Sequence, residues 1–376
     1  MTVMNVANDL PLVSAIQPFD GDVQSGIMQA GPAHLEVLAF DLNDGVGKDE
    51  LVNLLKEWTA LARNFTQGRA ADVPGFYGRE MVEAVANLTV TAGFGERIFD
   101  LIGKSDLKPE GLHDIPAFER DDLQPRWGQS DLVIQICCDD PVTLFMTARM
   151  MIKTALPVAH VKWMQKGFGH AFGAAPAGAT PRNPMGSIDG TVNPHSAEEW
   201  AEQVWIESDQ AYLNNSSIMV IRRIALHLDI WEKLDEAGRS KVIGRDYHTG
   251  APLSGGASEF DEEDMDAVDE QGNYLIDRHS HLALSREQDG LPNDALRRRA
   301  YAYDDTLNPH VNSSTNSGLV WIAFQKNPDK QFTAIQKRLD KSDLLNEYST
   351  HIGSAVYWIA PGTSPDTYWG QALMEA

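Results

Sequence analysis

The sequence predicts an α+β fold built from two similar halves. Strand and helix patterns alternate through residues 34–168 and do so again after residue 217. The stretch Asp131-Leu132-Val133-Ile134-Gln135 also has a counterpart in Gly318-Leu319-Val320-Trp321-Ile322, and each is followed by a helical pattern. Size agrees. A chain of 376 residues with 43% apolar side chains is long for one core and comfortable for two.

The elements follow in order. Residues 1–32 are turn-rich, with Pro11, Pro18 and Pro32, and read as an arm lying on the body. His34 to Leu42 is nearly all apolar, as a buried strand should be. Asp49 to Thr66 places Leu51, Leu54, Leu55, Trp58 and Leu61 on one helical stripe. Ala86 to Phe94 alternates like a half-buried strand, and Asp131 to Cys137 is another. Asp140 and Pro141 open a helix reaching about Thr154, and Val161 to Phe168 closes the half. Ser217 to Leu226 is apolar on both faces, interrupted by Arg222 and Arg223, which must reach a rim or a partner charge. A helix is expected from His227 to Leu234, continuing to Lys241. Gly318 to Phe324 is a strand, Asp329 to Leu339 a helix and Ala355 to Ile359 the last strand. The expected division is 1–180, arm and first half; 181–216, linker; 217–376, second half.

Composition excludes several classes. The formal net charge of -23 disfavours nucleic acid and anionic membrane surfaces as partners. The run Asp261-Glu262-Glu263-Asp264-Met265-Asp266 lacks the pattern of a calcium loop and reads as solvated. The only two cysteines, Cys137 and Cys138, are adjacent on a strand and point to opposite faces, so no disulfide framework or zinc spacing exists. No apolar run reaches membrane-spanning length. The first Lys or Arg is Lys48, so a cationic leader is not expected. A cytoplasmic location follows unless an export signal has been removed.

The linker holds the densest local signal. In Asn183-Pro184-Met185-Gly186-Ser187-Ile188-Asp189-Gly190-Thr191-Val192-Asn193-Pro194, two glycines bracket Asp189. Such a loop is neither helix interior nor central strand, and its glycines allow backbone shapes closed to other residues. The carboxylate is either part of a plain Asx turn or held out to act on something. Its place in the linker puts it between the halves, where pockets form.

Gly186-x-x-Asp189-Gly190 with Thr191, then Asn193-Pro194, resembles the signature of the dye-decolourising (DyP-type) haem peroxidase family. Gln129 to Ile136, Ser280-His281-Leu282, Leu296 to Tyr303 and Gly318 to Gln325 resemble further blocks of that family, in its order, and the likeness runs from about Phe19 to Gly362. The resemblance implies two ferredoxin-like halves with antiparallel sheets and one haem b per chain. It also implies a peroxidase that uses hydrogen peroxide to oxidise bulky aromatic or dye-like donors by one-electron steps. A homo-oligomer is compatible with it. The alternative is a haem-binding protein for haem or iron handling, carrier-like or deferrochelatase-like, without peroxidase turnover. A haem-free acid–base enzyme built on Asp189 finds no accompanying nucleophile, phosphate or metal motif.

By the same resemblance His281 is the axial iron ligand, with His279 two positions away as rival. Asp343 or Glu347 would accept the free N–H of the axial imidazole. Asp189 and Arg298 would assist O–O cleavage, Asp189 by moving a proton and Arg298 by compensating charge. Gly190, Arg298, Leu319 and Trp321 would lie against the haem, Trp321 standing where an aromatic is common. Arg297 and Arg299 read as residues of a solvated face. Tyr301, Tyr303, Trp358 and Trp369 are aromatic candidates for carrying electrons to the surface.

Overall fold

A computed structural model describes residues 12–73, 84–171, 173–174, 180–286, 295–307 and 313–376. Residues 1–11 of the expected arm lie outside these. The predicted strands form as β1 (His34–Leu42), β2 (Thr89–Phe94), β3 (Leu132–Cys138), β4 (Ala159–Phe168), β5 (Ser217–Leu226), β8 (Ser317–Gln325) and β9 (Ser349–Ile359). Two short strands, β6 (Arg297–Arg298) and β7 (Tyr301–Asp304), join them. The helices are α1 (Lys48–Thr66), α2 (Glu96–Leu101), α3 (Pro141–Ala155), α4 (Ala197–Gln203), α5 (Leu228–Trp231), α6 (Glu236–Ile243), α7 (His281–Ser285), α8 (Phe332–Ser342) and α9 (Gln371–Glu375). The helix expected from His227 to Lys241 is broken in two, because Asp235 caps α6 by accepting the Gly238 N–H at 2.8 Å. The start of α3 is set the same way, Asp140 accepting the Thr143 N–H at 2.8 Å ahead of Pro141.

All strand pairs are antiparallel. Within the first half the order is β4-β1-β3-β2, and within the second β9-β5-β8-β7, the same order for equivalent strands. The halves are ferredoxin-like, as expected. They do not stand apart: the sheets meet edge to edge at Phe94↔Trp358 and at Phe168↔Ala302, closing a ring of eight strands. One core fills that ring, with Leu35, Val37 and Val133 facing Ile221, Val320 and Tyr357. A second core lies under α1 and α3, where the Leu51–Trp58–Phe65 stripe meets Phe40 and Ile134.

At each seam there is one pair of strand residues, and at the β2–β9 seam side chains supply what the ladder lacks. The Gln129 amide donates to the Val356 carbonyl at 2.8 Å and accepts the Val356 N–H at 2.7 Å. The Gln24 amide does the same with Ala92, at 3.0 and 2.8 Å, and also donates to the Ala360 carbonyl at 3.0 Å. A carboxamide has both a donor and an acceptor, so it can stand in for a peptide unit. The arm, from which Gln24 comes, is thereby fastened across the β2–β9 seam.

Arg222 and Arg223 find the partner charges their sequence positions demand. Arg223 reaches Asp305 at 2.6 Å and lies between the rings of Trp127 and Tyr303. Arg222 is fully buried and pairs with Asp121, itself only 4% exposed. Removing one member of such a pair strands the other charge away from water. Asp121→Ala should therefore destabilise the protein by about 3–5 kcal/mol, measured by reversible denaturant unfolding. A loss under 1 kcal/mol would mean that water reaches Arg222.

Candidate active site

A cavity of about 250 Å³ opens beneath the second half. One wall is the outer face of its sheet: Ile224 and Leu226 of β5, Leu319 and Trp321 of β8, Ser349 and His351 of β9. The other walls are α7, α8 and the loop around Asp189. No described lining residue precedes Asn183, so the cavity belongs to the linker and the second half rather than to the space between halves.

The Asp189 loop is tied down at several points. Met185 accepts hydrogen bonds at its carbonyl from Trp231 Nε1 (2.8 Å) and Tyr247 Oη (2.9 Å). Arg182 Nη1 donates to the carbonyls of Gly186 (2.7 Å) and Tyr247 (2.9 Å). The Asp189 N–H goes to the Pro181 carbonyl at 2.9 Å. Gly186 has φ +81°, and a Cβ there would lie 2.0 Å from Tyr247 Oη, so glycine is required twice over. Four residues after Asp189, the Asn193 side chain accepts the Arg298 N–H at 2.7 Å and donates to the Arg298 carbonyl at 3.0 Å. These bonds bring Asp189 Oδ1 to 3.4 Å from Arg298 Nη1, with both side chains about one-fifth exposed to the cavity side. Arg298 Nε is buried without a hydrogen-bond partner among the described residues.

His281 begins α7, which Ser280 caps by accepting the Ala283 N–H at 3.3 Å. Its Nδ1 lies 2.7 Å from Asp343 Oδ2. Asp343 is buried, and its Oδ1 accepts the Leu345 N–H at 2.8 Å, so the carboxylate is fixed from behind. Glu347, the other candidate, is exposed, and so is His279. The His281 side chain keeps 32% of its surface open although it lies deep in the chain, and the open part faces the cavity. Burial, the largest influence, pulls its pKa down, but the charge and hydrogen bond of Asp343 outweigh it and the value is raised. With Nδ1–H directed at a carboxylate, the neutral ring presents its Nε2 lone pair elsewhere.

Leu319 and Trp321 line the cavity, and Trp321 packs on Phe332 at 5.2 Å between ring centroids. Gly190 does not line it; its φ of +128° serves the turn, and the nearest atoms belong to Asn193 and Thr180. Arg297 and Arg299 are not on a solvated face. Arg299 is buried and donates to the Gln29 carbonyl at 2.5 Å, while Arg297 reaches the Ile27 carbonyl at 3.3 Å. Burial, then the Arg299 charge, pushes the Arg297 guanidinium down to about 9. The acidic run is only partly solvated, since Glu263 bridges Arg245 (3.2 Å) and Arg286 at the cavity margin. Tyr301, Tyr303, Trp358 and Trp369 are all buried, and the two tyrosines face the inter-sheet core, away from the cavity. Sequence reasoning assigned no role to Asn193 or His351. The first stood inside the quoted signature, whereas the second carried no local signal.

The family models described as "Dyp-type peroxidase, N-terminal" and "Dyp-type peroxidase, C-terminal" match residues 24–169 and 180–364. A dye-decolorizing peroxidase of Thermobifida fusca (strain YX) is 34% identical over 366 residues, spanning 94% of this chain and 84% of that protein. A deferrochelatase of Escherichia coli (strain K12) is 31% identical over 379 residues, spanning 95% and 87%. Among solved structures, a DyP-type peroxidase from Cellulomonas bogoriensis matches with a TM-score of 0.92 at 35% identity, over 98% of this chain and 100% of that one. Ferric DtpA from Streptomyces lividans matches with a TM-score of 0.91 at 32% identity, over 97% and 98%.

The doubly constrained glycine gives a sharp test of the loop. Gly186→Ala should cost about 2 kcal/mol or more and expel the Tyr247 hydroxyl from its bond to Met185. Adding Tyr247→Phe should return part of that loss, because it removes the atom that clashes. Thermal unfolding of the single and double variants measures both, and strictly additive losses would refute the contact.

Proposed function

The chain belongs to the Dyp-type peroxidase family, and on that premise we propose that it is a haem peroxidase whose haem b occupies the cavity beneath β5, β8 and β9. The donor set fits the group. A haem iron takes one strong axial donor from the protein, and His281 is an imidazole with one nitrogen engaged and the other available. A flat macrocycle needs apolar walls, which Ile224, Leu226 and Leu319 offer on one side and Leu282, Ile335 and Leu339 on another. The haem-holding unit is then the 217–376 half together with the 181–216 loop.

Bound there, haem supplies the redox centre that takes two electrons' worth of oxidation from hydrogen peroxide and returns it to donors one electron at a time. The chain's own residues do the rest. Asp343 holds the Nδ1 proton of His281, fixes the ring's orientation and makes it a more basic ligand. Asp189 accepts a proton from one peroxide oxygen and delivers it to the other, which leaves as water. Arg298 compensates the negative charge that builds on oxygen as the O–O bond lengthens. Asn193 keeps the arginine beside Asp189 by holding its peptide unit. Bulky aromatic or dye-like molecules are the expected donors.

The Asp189–Arg298 pair is the observation that carries the enzymatic reading, since carriage of haem needs a ligand and a slot but no proton shuttle beside a guanidinium. The deferrochelatase relatives favour keeping haem or iron handling as the second reading.

Two measurements decide. The haem-loaded chain should show a Soret band that shifts with one equivalent of peroxide, and His281→Ala should lose or displace that band. Asp189→Ala and Arg298→Leu should each keep the haem yet lower dye turnover by roughly 10²–10³-fold. Undiminished turnover in both would remove the proposed chemistry. Release of porphyrin or iron without turnover would favour the second reading.

A further inference from the structure

Among the described residues two histidines line the cavity, and their hydrogen bonds give them opposite polarity. His281 directs Nδ1 at a carboxylate, as described. His351 does the reverse: its Nδ1 lies 3.0 Å from Nε of Arg222. A guanidinium carries donors only, so this Nδ1 must accept, and the one proton of the neutral ring sits on Nε2. The arrangement cannot readily invert. Arg222 is fully buried, is paired behind with Asp121, and lies between the rings of Phe118 and Phe332 at 5.9 and 5.8 Å.

The backbone aims this ring deliberately. Pairing between β5 and β9 slips by one residue, from Arg223↔Gly353 to Ile224↔His351. The bulge turns His351, instead of Ile352, onto the outer face beside Ile224, where the cavity is. Nε2 has no hydrogen-bond partner among the described residues. Neighbouring polar groups on the same stretch of wall are already engaged. Ser349 Oγ donates to the Leu345 carbonyl at 3.3 Å, and Asn346 Nδ2 to the Leu339 carbonyl at 2.8 Å. Burial first, then the Arg222 charge, holds the His351 pKa well below the ordinary imidazole value, which keeps the ring neutral and its donor fixed.

A donor nitrogen cannot ligate iron, so His351 is not a second axial ligand. It needs an acceptor, and the acceptors at the rim of a haem are its two propionate carboxylates. Resting on the haem reading above, we propose that His351 Nε2–H is a carboxylate-binding subsite that fixes the in-plane orientation of the cofactor by taking one propionate.

The test separates recognition of the carboxylate from mere packing. The haem-free chain, its His351→Leu variant and its His351→Gln variant are titrated with haem and with haem dimethyl ester, followed by Soret absorbance and tryptophan quenching. His351→Leu should weaken haem binding about tenfold and leave ester binding within about twofold. His351→Gln, which keeps a donor amide, should recover most of the haem affinity. Equal weakening of both compounds, or of neither, overturns the proposal, as does a Gln variant as weak as Leu. Thermal unfolding of each variant checks that the fold persists. If the unaltered chain binds neither compound, the haem reading itself fails, a result distinct from all of these.

Discussion

The site depends on one buried carboxylate. Asp343 ends α8, starts the following turn through the Leu345 N–H, and holds His281 Nδ1 at 2.7 Å. Three pieces of chain separated by up to 62 residues thus meet at two oxygen atoms. A carboxylate taken this far from water is tolerated only when its acceptor sites are filled, and here the backbone and an imidazole fill them. The same constraint decides which ring nitrogen is left for chemistry. Asp189 and Arg298 come to the cavity from a different direction, through Asn193, so the two ends of the proposed reaction have independent mechanical supports.

Side-chain amides recur at the places where regular pairing stops. Asn193 grips both polar groups of Arg298, Gln129 those of Val356 and Gln24 those of Ala92. In each case a carboxamide replaces a strand that is not there. The device gives short or isolated strands, such as the two-residue β6 that carries Arg298, a defined position without the length a ladder would need.

The regular elements were legible because they obey simple periods. The α1 stripe, the Asp140–Pro141 start and most of the buried strands were found within a few residues of their observed ends, whereas β9 begins at Ser349, well before the expected Ala355. Asp189, Arg298 and His281 were legible only as members of a resembling motif, since a Gly-bracketed Asp or a histidine in a polar run has ordinary explanations. Arg297 and Arg299 were misread because charge in sequence argues for solvent, while the carbonyls of Ile27 and Gln29 that receive them are some 270 residues away. His351 was invisible for another reason. Its facing is set by a one-residue slip in strand pairing, and alternation counted along β9 alone would turn it the other way.

The closed ring of strands has a consequence for how small this protein could become. Every described residue that lines the cavity comes from Asn183 onward, so the first half looks dispensable on a list of contacts. Yet β7 and β9 of the second half are shielded at their outer edges by β4 and β2, and its inner face is buried against Leu35, Val37 and Val133. Cut free, the second half would present two open strand edges and a bare apolar sheet, the features that drive chains to stick to one another. Among the described residues the first half lines none of the cavity, but without it the second half would be prone to aggregate.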